Sequence, residues 1–202
     1  MKRHHMKRIL AVALLAAGCT ATPATTTSST VPPPLVSLEL SPEGLGDLPF
    51  GLDPDSVITD VTALYGAPDV DTDWIVAEPN LYGSCPGELM RAIGWGSLVT
   101  IFIDDGDSDL GGYFYTYTYG YEYETNTGGV DPRALNLTTE SGVGVGTTVG
   151  DLRTAFDTDL IIEGDVDLDS WTFRSDSDGF RGLLSGQTET DTVTLIEPLE
   201  GC

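Results

Sequence analysis

The segment YFYTYTYGYEYE, Tyr113 to Glu124, carries tyrosine at every odd position from Tyr113 to Tyr123. Successive side chains of a β-strand point to opposite faces. A single strand would therefore gather Tyr113, Tyr115, Tyr117, Tyr119, Tyr121 and Tyr123 on one face, with Phe114, Thr116, Thr118, Gly120, Glu122 and Glu124 on the other. The ring-lined face is either part of the core or a surface built for contact.

The partner strand decides between these. The preceding apolar run, AIGWGSLVTIFI from Ala92 to Ile103, is expected to pair with it as an antiparallel hairpin across the acidic loop DDGDSD. In such a ladder the numbers of opposed residues have a constant sum. An odd sum sets the tyrosines beside Leu98, Gly96, Gly94 and Ala92 and leaves Ile93, Trp95, Val99 and Ile101 on the apolar side. An even sum joins the rings to that aliphatic set as a core face. One residue of slip exchanges the two, and the loop is too long and irregular to fix the register.

A core of six tyrosines would bury six hydroxyls that each need a partner, which Val, Ile and Leu avoid. Rings lying over Gly94 and Gly96 would also fill the space those residues leave. On the other side, a row of exposed rings invites aggregation. The expectation is an open, tyrosine-lined surface, with the core face as the alternative. Six rings at roughly 6.7 Å per alternate residue span up to about 33 Å, which suits a protein face or an extended glycan. Glu122 and Glu124 are solvated in either case.

Around this strand the chain alternates helix-sized and strand-sized pieces. In LPFGLDPDSVITDVTALYGAPDVDTDW, Val57, Val61 and Leu64 recur at helical spacing, Asp55 or Ser56 caps the start, and Gly66 with Pro68 ends the run. The segment VGVGTTVGDLRTAFDTDLIIEGDVDLDSW has the same layout. With Gly51 set on Gly146, Val57 falls on Leu152, and each helix is followed by alternating aspartates and a tryptophan, Asp69–Trp74 and Asp165–Trp171. The repeat predicts a duplicated module. Strands follow each copy: the hairpin above, then SWTFRSD, FRGLLSG and DTVTLIEP. The fold class is α+β, two related units in which short helices pack on one face of an antiparallel sheet. The expected organisation is a signal peptide over 1–18, a Thr/Ser/Pro-rich tether over 19–37, a first module over 38–130 and a second over 131–202.

The motifs PFGLDPDSVITDVTALYGAPD, VGVGTTVGDLRTAF, GWGSL and GLLSG…DTVTLIEPLEGC resemble the β-lactamase inhibitor protein architecture, of which lipoproteins of the SmpA/OmlA type carry a single unit. The resemblance covers roughly residues 45 to 202. It implies helices over one side of the sheet, a concave aromatic side that grips a protein partner, and no catalytic residues.

The opening MKRHHMKRILAVALLAAGCT has a basic head, an apolar run from Ile9 to Ala17 and small residues before Cys19. That is the pattern of a secretory signal peptide, too short for a comfortable membrane span. LLAAGC resembles a lipoprotein lipobox, although Ala16 stands where the large aliphatic residue usually sits; Cys19 is the expected lipidation site, with ordinary cleavage as the alternative. The uncharged segment TATPATTTSSTVPPPLV reads as an extended tether. The expected location is exported, anchored by lipid on the outer face of the cell membrane.

Both lysines and both histidines lie in the signal segment, so the remainder sets five arginines against 32 acidic residues, a net charge of −27. Such a surface repels nucleic acid and anionic headgroups. It is equally well explained by salty surroundings, where screening weakens self-repulsion. Cys85 and Cys202 form an even pair in an exported chain and predict a disulfide; zinc would lack ligands without histidine.

Asp105, Asp107 and Asp109 have EF-hand spacing, but Leu110 replaces the required glycine and Thr116 the closing glutamate, so no metal site is expected. The absence of histidine and lysine removes Ser-His-Asp, Cys-His, Schiff-base and P-loop chemistry. Paired carboxylates cannot be picked out from the general acidity. The expected function is non-catalytic, without cofactor: protein binding, inhibition included, through the tyrosine-lined face. Structural envelope and cell-wall glycan-binding roles are the alternatives.

Overall fold

The computed structural model describes residues 38–106, 111–120, 135–156, 159–165 and 170–202. Cys19, Tyr121, Tyr123, Asp107 and Asp109 lie outside the described residues.

Three two-residue strands, β1 (Leu40–Ser41), β2 (Gly44–Leu45) and β3 (Leu48–Pro49), form a small antiparallel sheet. Helix α1 (Pro54–Tyr65) follows. Its cap is Asp53, whose carboxylate accepts from the Ser56 N–H at 3.1 Å, rather than Asp55 or Ser56. The reason is Pro54, which suits the first helical position because its fixed φ is helical and its missing N–H is not needed there. Val57 and Val61, one turn apart, are buried. Helix α2 (Val149–Ala155) is capped by Thr148, which accepts from the Asp151 N–H at 3.1 Å.

The remaining strands are β4 (Val70–Asp71), β5 (Ile75–Val76), β6 (Leu89–Trp95), β7 (Leu98–Asp104), β8 (Tyr113–Tyr119), β9 (Ile161–Asp165), β10 (Ser170–Ser175), β11 (Phe180–Leu184) and β12 (Val193–Pro198). They form one nine-stranded antiparallel sheet in the order β4-β6-β7-β8-β12-β11-β10-β9, with β5 also pairing β6. The fold is thus α+β with antiparallel sheets and two short helices. Strands from both sequence ranges, 38–130 and 131–202, meet in the β8–β12 pair, where Ile196 lies opposite Tyr119.

The run from Ala92 to Ile103 is itself a hairpin, not one strand. Trp95 lies opposite Leu98, and the two residues between them turn the chain. Gly96 has φ 57°, the left-handed value that the first central position of a type II′ turn demands. Ile93, Trp95 and Leu98 consequently share one face, in a buried cluster with Phe102, Phe114, Phe173 and Ile196. Val57 and Val61 of α1 and Val149 and Leu152 of α2 belong to the same cluster. The Trp95 Nε1–H donates to the Gly66 carbonyl at 3.0 Å, tying that core to the end of α1.

A second cluster lies on the opposite, outer face of β6–β8. Met90, Ala92, Val99, Ile101 and Ile103 are buried there. Ile75, Ala77, Tyr82 and the half-buried Cys202 cover them, and Cys85 is disulfide-bonded to Cys202 across a sequence separation of 117. The bridge fastens both the 77–88 connection and the C-terminal tail over this part of the sheet.

A loop of that length removes much entropy from the unfolded chain. The double variant Cys85→Ser/Cys202→Ser should lose about 4–5 kcal/mol in urea unfolding, on the chain-entropy model. A loss near zero would mean that the tail and the 77–88 connection hold their places without the bridge.

Candidate functional site

The tyrosine row does not stay on one face. Between β7 and β8, Leu98, Val99, Thr100 and Ile101 oppose Tyr119, Thr118, Tyr117 and Thr116, but Phe102 opposes Phe114 and Ile103 opposes Tyr113. Tyr115 is the unmatched residue of a β-bulge, which lets side chains on either side of it keep different alternation. The ladder sum is even before the bulge and odd after it, so both registers occur in one strand.

Tyr117 and Tyr119 keep the expected odd register, beside Thr100 and Leu98. The Gly96–Ser97 turn, however, sets Leu98 on the face of Ile93 and Trp95, so both rings enter the main core, 0% and 4% exposed, where an open surface was expected. Tyr113 and Tyr115 stay half-buried on the outer face, packed against the cluster beneath the disulfide. A continuous exposed row is thus excluded for the four described tyrosines.

The hydroxyls that made a tyrosine core unattractive find partners. The Tyr117 O–H donates to the Ser41 carbonyl at 2.9 Å, and the Tyr119 hydroxyl accepts from the Leu137 N–H at 3.3 Å. Those partners belong to the segments that precede α1 and α2. Phe50 packs edge-on against Phe114 with ring centroids 5.0 Å apart and lies 6.2 Å from Tyr117. The rings are core residues with polar ends, anchoring the pre-helical segments to the sheet.

The acidic ladders likewise have structural work. Asp71 takes both Nε and Nη2 of Arg91, at 2.9 and 2.6 Å, which holds its carboxyl below the usual range. Asp69 accepts from the Gly96 N–H at 2.7 Å, at the hairpin turn. Asp159 accepts from Ser175 and Ser177, whose bonds also lower its pKa. Among the described residues no group of three or more His, Cys, Asp or Glu side chains could hold a metal ion.

Among the described residues, what the sheet leaves open is the outer face of β12, β11 and β10. The register lines up two cross-strand rows there. Ile161, Arg174, Arg181 and Glu197 oppose one another in turn, and so do Glu163, Thr172, Leu183 and Leu195. Their sequence neighbours Phe173, Phe180, Leu184 and Ile196 point into the core. A groove of about 550 Å³ runs over these rows, walled at one end by Leu81, Tyr82 and Cys202. A neighbouring hollow of about 500 Å³, lined by Val145 and Gly120, shares Leu183 and Leu195 with it. Five large apolar side chains are exposed among the described residues, and Leu81 (77%), Ile161 (49%), Val145 (44%) and Leu183 (40%) all border this face. Apolar groups gathered in this way, rimmed by charge, mark interaction surfaces.

Arg174, Arg181 and Leu183 did not stand out in the sequence because each is one residue of an ordinary alternating strand. The signal was present in WTFRSDSDGFRGLL: a four-residue turn, 176–179, places Arg174 opposite Arg181. Comparison with protein-family models, with curated proteins and with solved structures returns no match.

Burial pushes the Tyr117 phenol far above its ordinary value of 10.0, outweighing the hydrogen bond to Ser41 that lowers it. The folded state therefore holds a proton that the unfolded chain releases near pH 10, and stability falls as pH rises past that point. Tyr117→Phe should cost about 1 kcal/mol at neutral pH and flatten the decline between pH 10 and 12, measured by urea unfolding across that range. An unchanged alkaline slope would mean that other tyrosines carry it.

Proposed function

We propose that this protein is an exported, lipid-anchored binding module without catalytic activity, and that it recognises a protein partner through the outer-face groove. The observation that carries this reading is the gathering of exposed apolar side chains around Leu183 on a sheet whose other face is filled by core. An isolated exposed leucine needs no explanation, whereas Leu81 and Leu183 in one groove, Val145 in the hollow that adjoins it and Ile161 in the next row of the sheet do. Among the groove residues Tyr82 is the one aromatic ring placed at the rim, which favours a protein surface over the stacked rings of a glycan site.

The same reading takes the fold as two related units, each with a helix over one face of antiparallel strands, similar to the β-lactamase inhibitor protein architecture. It is supported by the strand order. Helix α1 precedes β4 to β8, helix α2 precedes β9 to β12, and the final strands β8 and β12 lie side by side at the middle of the sheet. Export and lipidation rest on the basic and apolar opening and on Cys19 in LLAAGC.

Two measurements bear on this. Cys19→Ser should move the protein from the membrane fraction to the soluble exported fraction and remove the mass of a diacylglyceryl group from its N-terminus. An unchanged membrane fraction would count against the anchor. A photo-cross-linking residue in place of Leu183 should yield one discrete protein adduct in intact cells, and the same residue in place of exposed Thr59 on α1 should not. Equal labelling, or none, would leave an envelope scaffold; an adduct with cell-wall polysaccharide would make the groove a glycan site.

A further inference from the structure

Arg174 and Arg181 stand directly opposite each other on β10 and β11. Opposed side chains have Cβ atoms about 4.5–5.5 Å apart, and like charges so placed weaken a sheet. The arrangement is unexpected in a chain with only five arginines outside its signal segment. Each guanidinium is partly neutralised, Arg174 by Asp176 at 2.6 Å and Arg181 by Glu197 at 2.8 Å. Both ion pairs run through Nε. Arg91, by contrast, spends Nε and Nη2 together on Asp71. The Nη groups of Arg174 and Arg181 therefore keep their donors available at the groove, with side chains 59% and 37% exposed.

We infer that this arginine pair is a receptor for one carboxylate side chain of the partner, with exposed Leu183, beside the largely buried Leu195 in the groove lining, taking an aliphatic side chain next to it. The inference rests on the outer face being the recognition surface. Guanidinium donors in a planar fork match a carboxylate, and two forks offer more donors than one oxyanion can use. A singly charged group fits better than a dianionic phosphate, because Glu163, Asp176 and Glu197 surround the site and resist a second negative charge. The leucine row lies two residues along each strand from the arginine row, roughly 6.7 Å away. That is the spacing of alternate side chains in an extended segment, so a Glu or Asp with an aliphatic residue two positions on matches both rows.

The test titrates the full-length protein with acetyl-Glu-Ser-Leu-amide while following the Arg Nε–Hε resonances. The Arg174 and Arg181 signals should move saturably, and Arg174→Gln should weaken binding at least tenfold. Arg174 is more exposed than Arg181 and its acid partner lies in a turn, so this variant should keep the wild-type unfolding midpoint. Arg181→Lys, which keeps the charge but loses the fork, should weaken binding by a smaller factor. Equal shifts from acetyl-Gln-Ser-Leu-amide, from sodium chloride at the same ionic strength or from glucuronate would overturn the assignment, as would undiminished binding by Arg174→Gln. Glutamate-specific binding without any cross-link at Leu183 would retain the receptor and remove the protein-partner reading. A cross-link without glutamate-specific binding would do the reverse.

Discussion

Strand β8 has one residue more than its partner can match, and the placement of that strand's own aromatic side chains, from Tyr113 to Tyr119, depends on that residue. Backbone hydrogen bonds between β7 and β8 admit one strict alternation on each side of Tyr115 and a change of face across it. Had the ladder run without the bulge in the register of Tyr117 and Tyr119, Tyr113 would enter the core and Phe114 would leave it. The bulge instead delivers Phe114, Tyr117 and Tyr119 to one face and Tyr113, Tyr115 and Thr116 to the other. A period-two sequence is thereby converted into two separate aromatic groups with different tasks.

The two faces are then closed by different means. On the core side, tyrosine hydroxyls reach the segments ahead of the helices, so the polar ends of the rings hold the chain that leads into α1 and α2. On the outer side, the first half of the sheet is covered by the 77–88 connection and the C-terminal tail. Gly83 is the close-contact point, since a Cβ there would lie 3.1 Å from the Cys202 Cβ and its φ of 114° disfavours any other residue. Cys202 lies beside the groove, and among the described residues the second half of that face stays uncovered.

Much of the element order could be read from the sequence. The 3.6-residue spacing of Val57 and Val61, the glycine stop at Gly66 and the alternating strands SWTFRSD, FRGLLSG and DTVTLIEP are all local signals, and local signals decide element type. The Cys85–Cys202 pair followed from reading an even pair of cysteines as a disulfide. The Gly96–Ser97 turn was also legible, as Gly-Ser between Trp95 and Leu98, but it was absorbed into a supposed single strand. The bulge at Tyr115 was not legible. It arises from the competition between two largely apolar faces, with Phe102 and Phe114 in tilted contact on one side and Ile103 beneath the disulfide on the other. No local pattern of β8 alone announces which of six alternating rings will be skipped. The groove was hidden for the same reason: it exists because the register of four strands aligns residues distant in sequence.

The electrostatics of that groove differ from those of the molecule that carries it. A net charge of −27 over residues 19–202 favours cationic or neutral partners at long range and opposes self-association. Within a Debye length of about 8 Å the relevant charges are only those on the neighbouring strands, and here two adjacent guanidinium groups are flanked by Asp176 and Glu197. Long-range repulsion therefore slows an acidic partner without preventing its close contacts, and raising ionic strength removes the first effect sooner than the second. On the proposed reading, such a surface would select by local donor geometry, since the overall field opposes the very charge the arginines would accept.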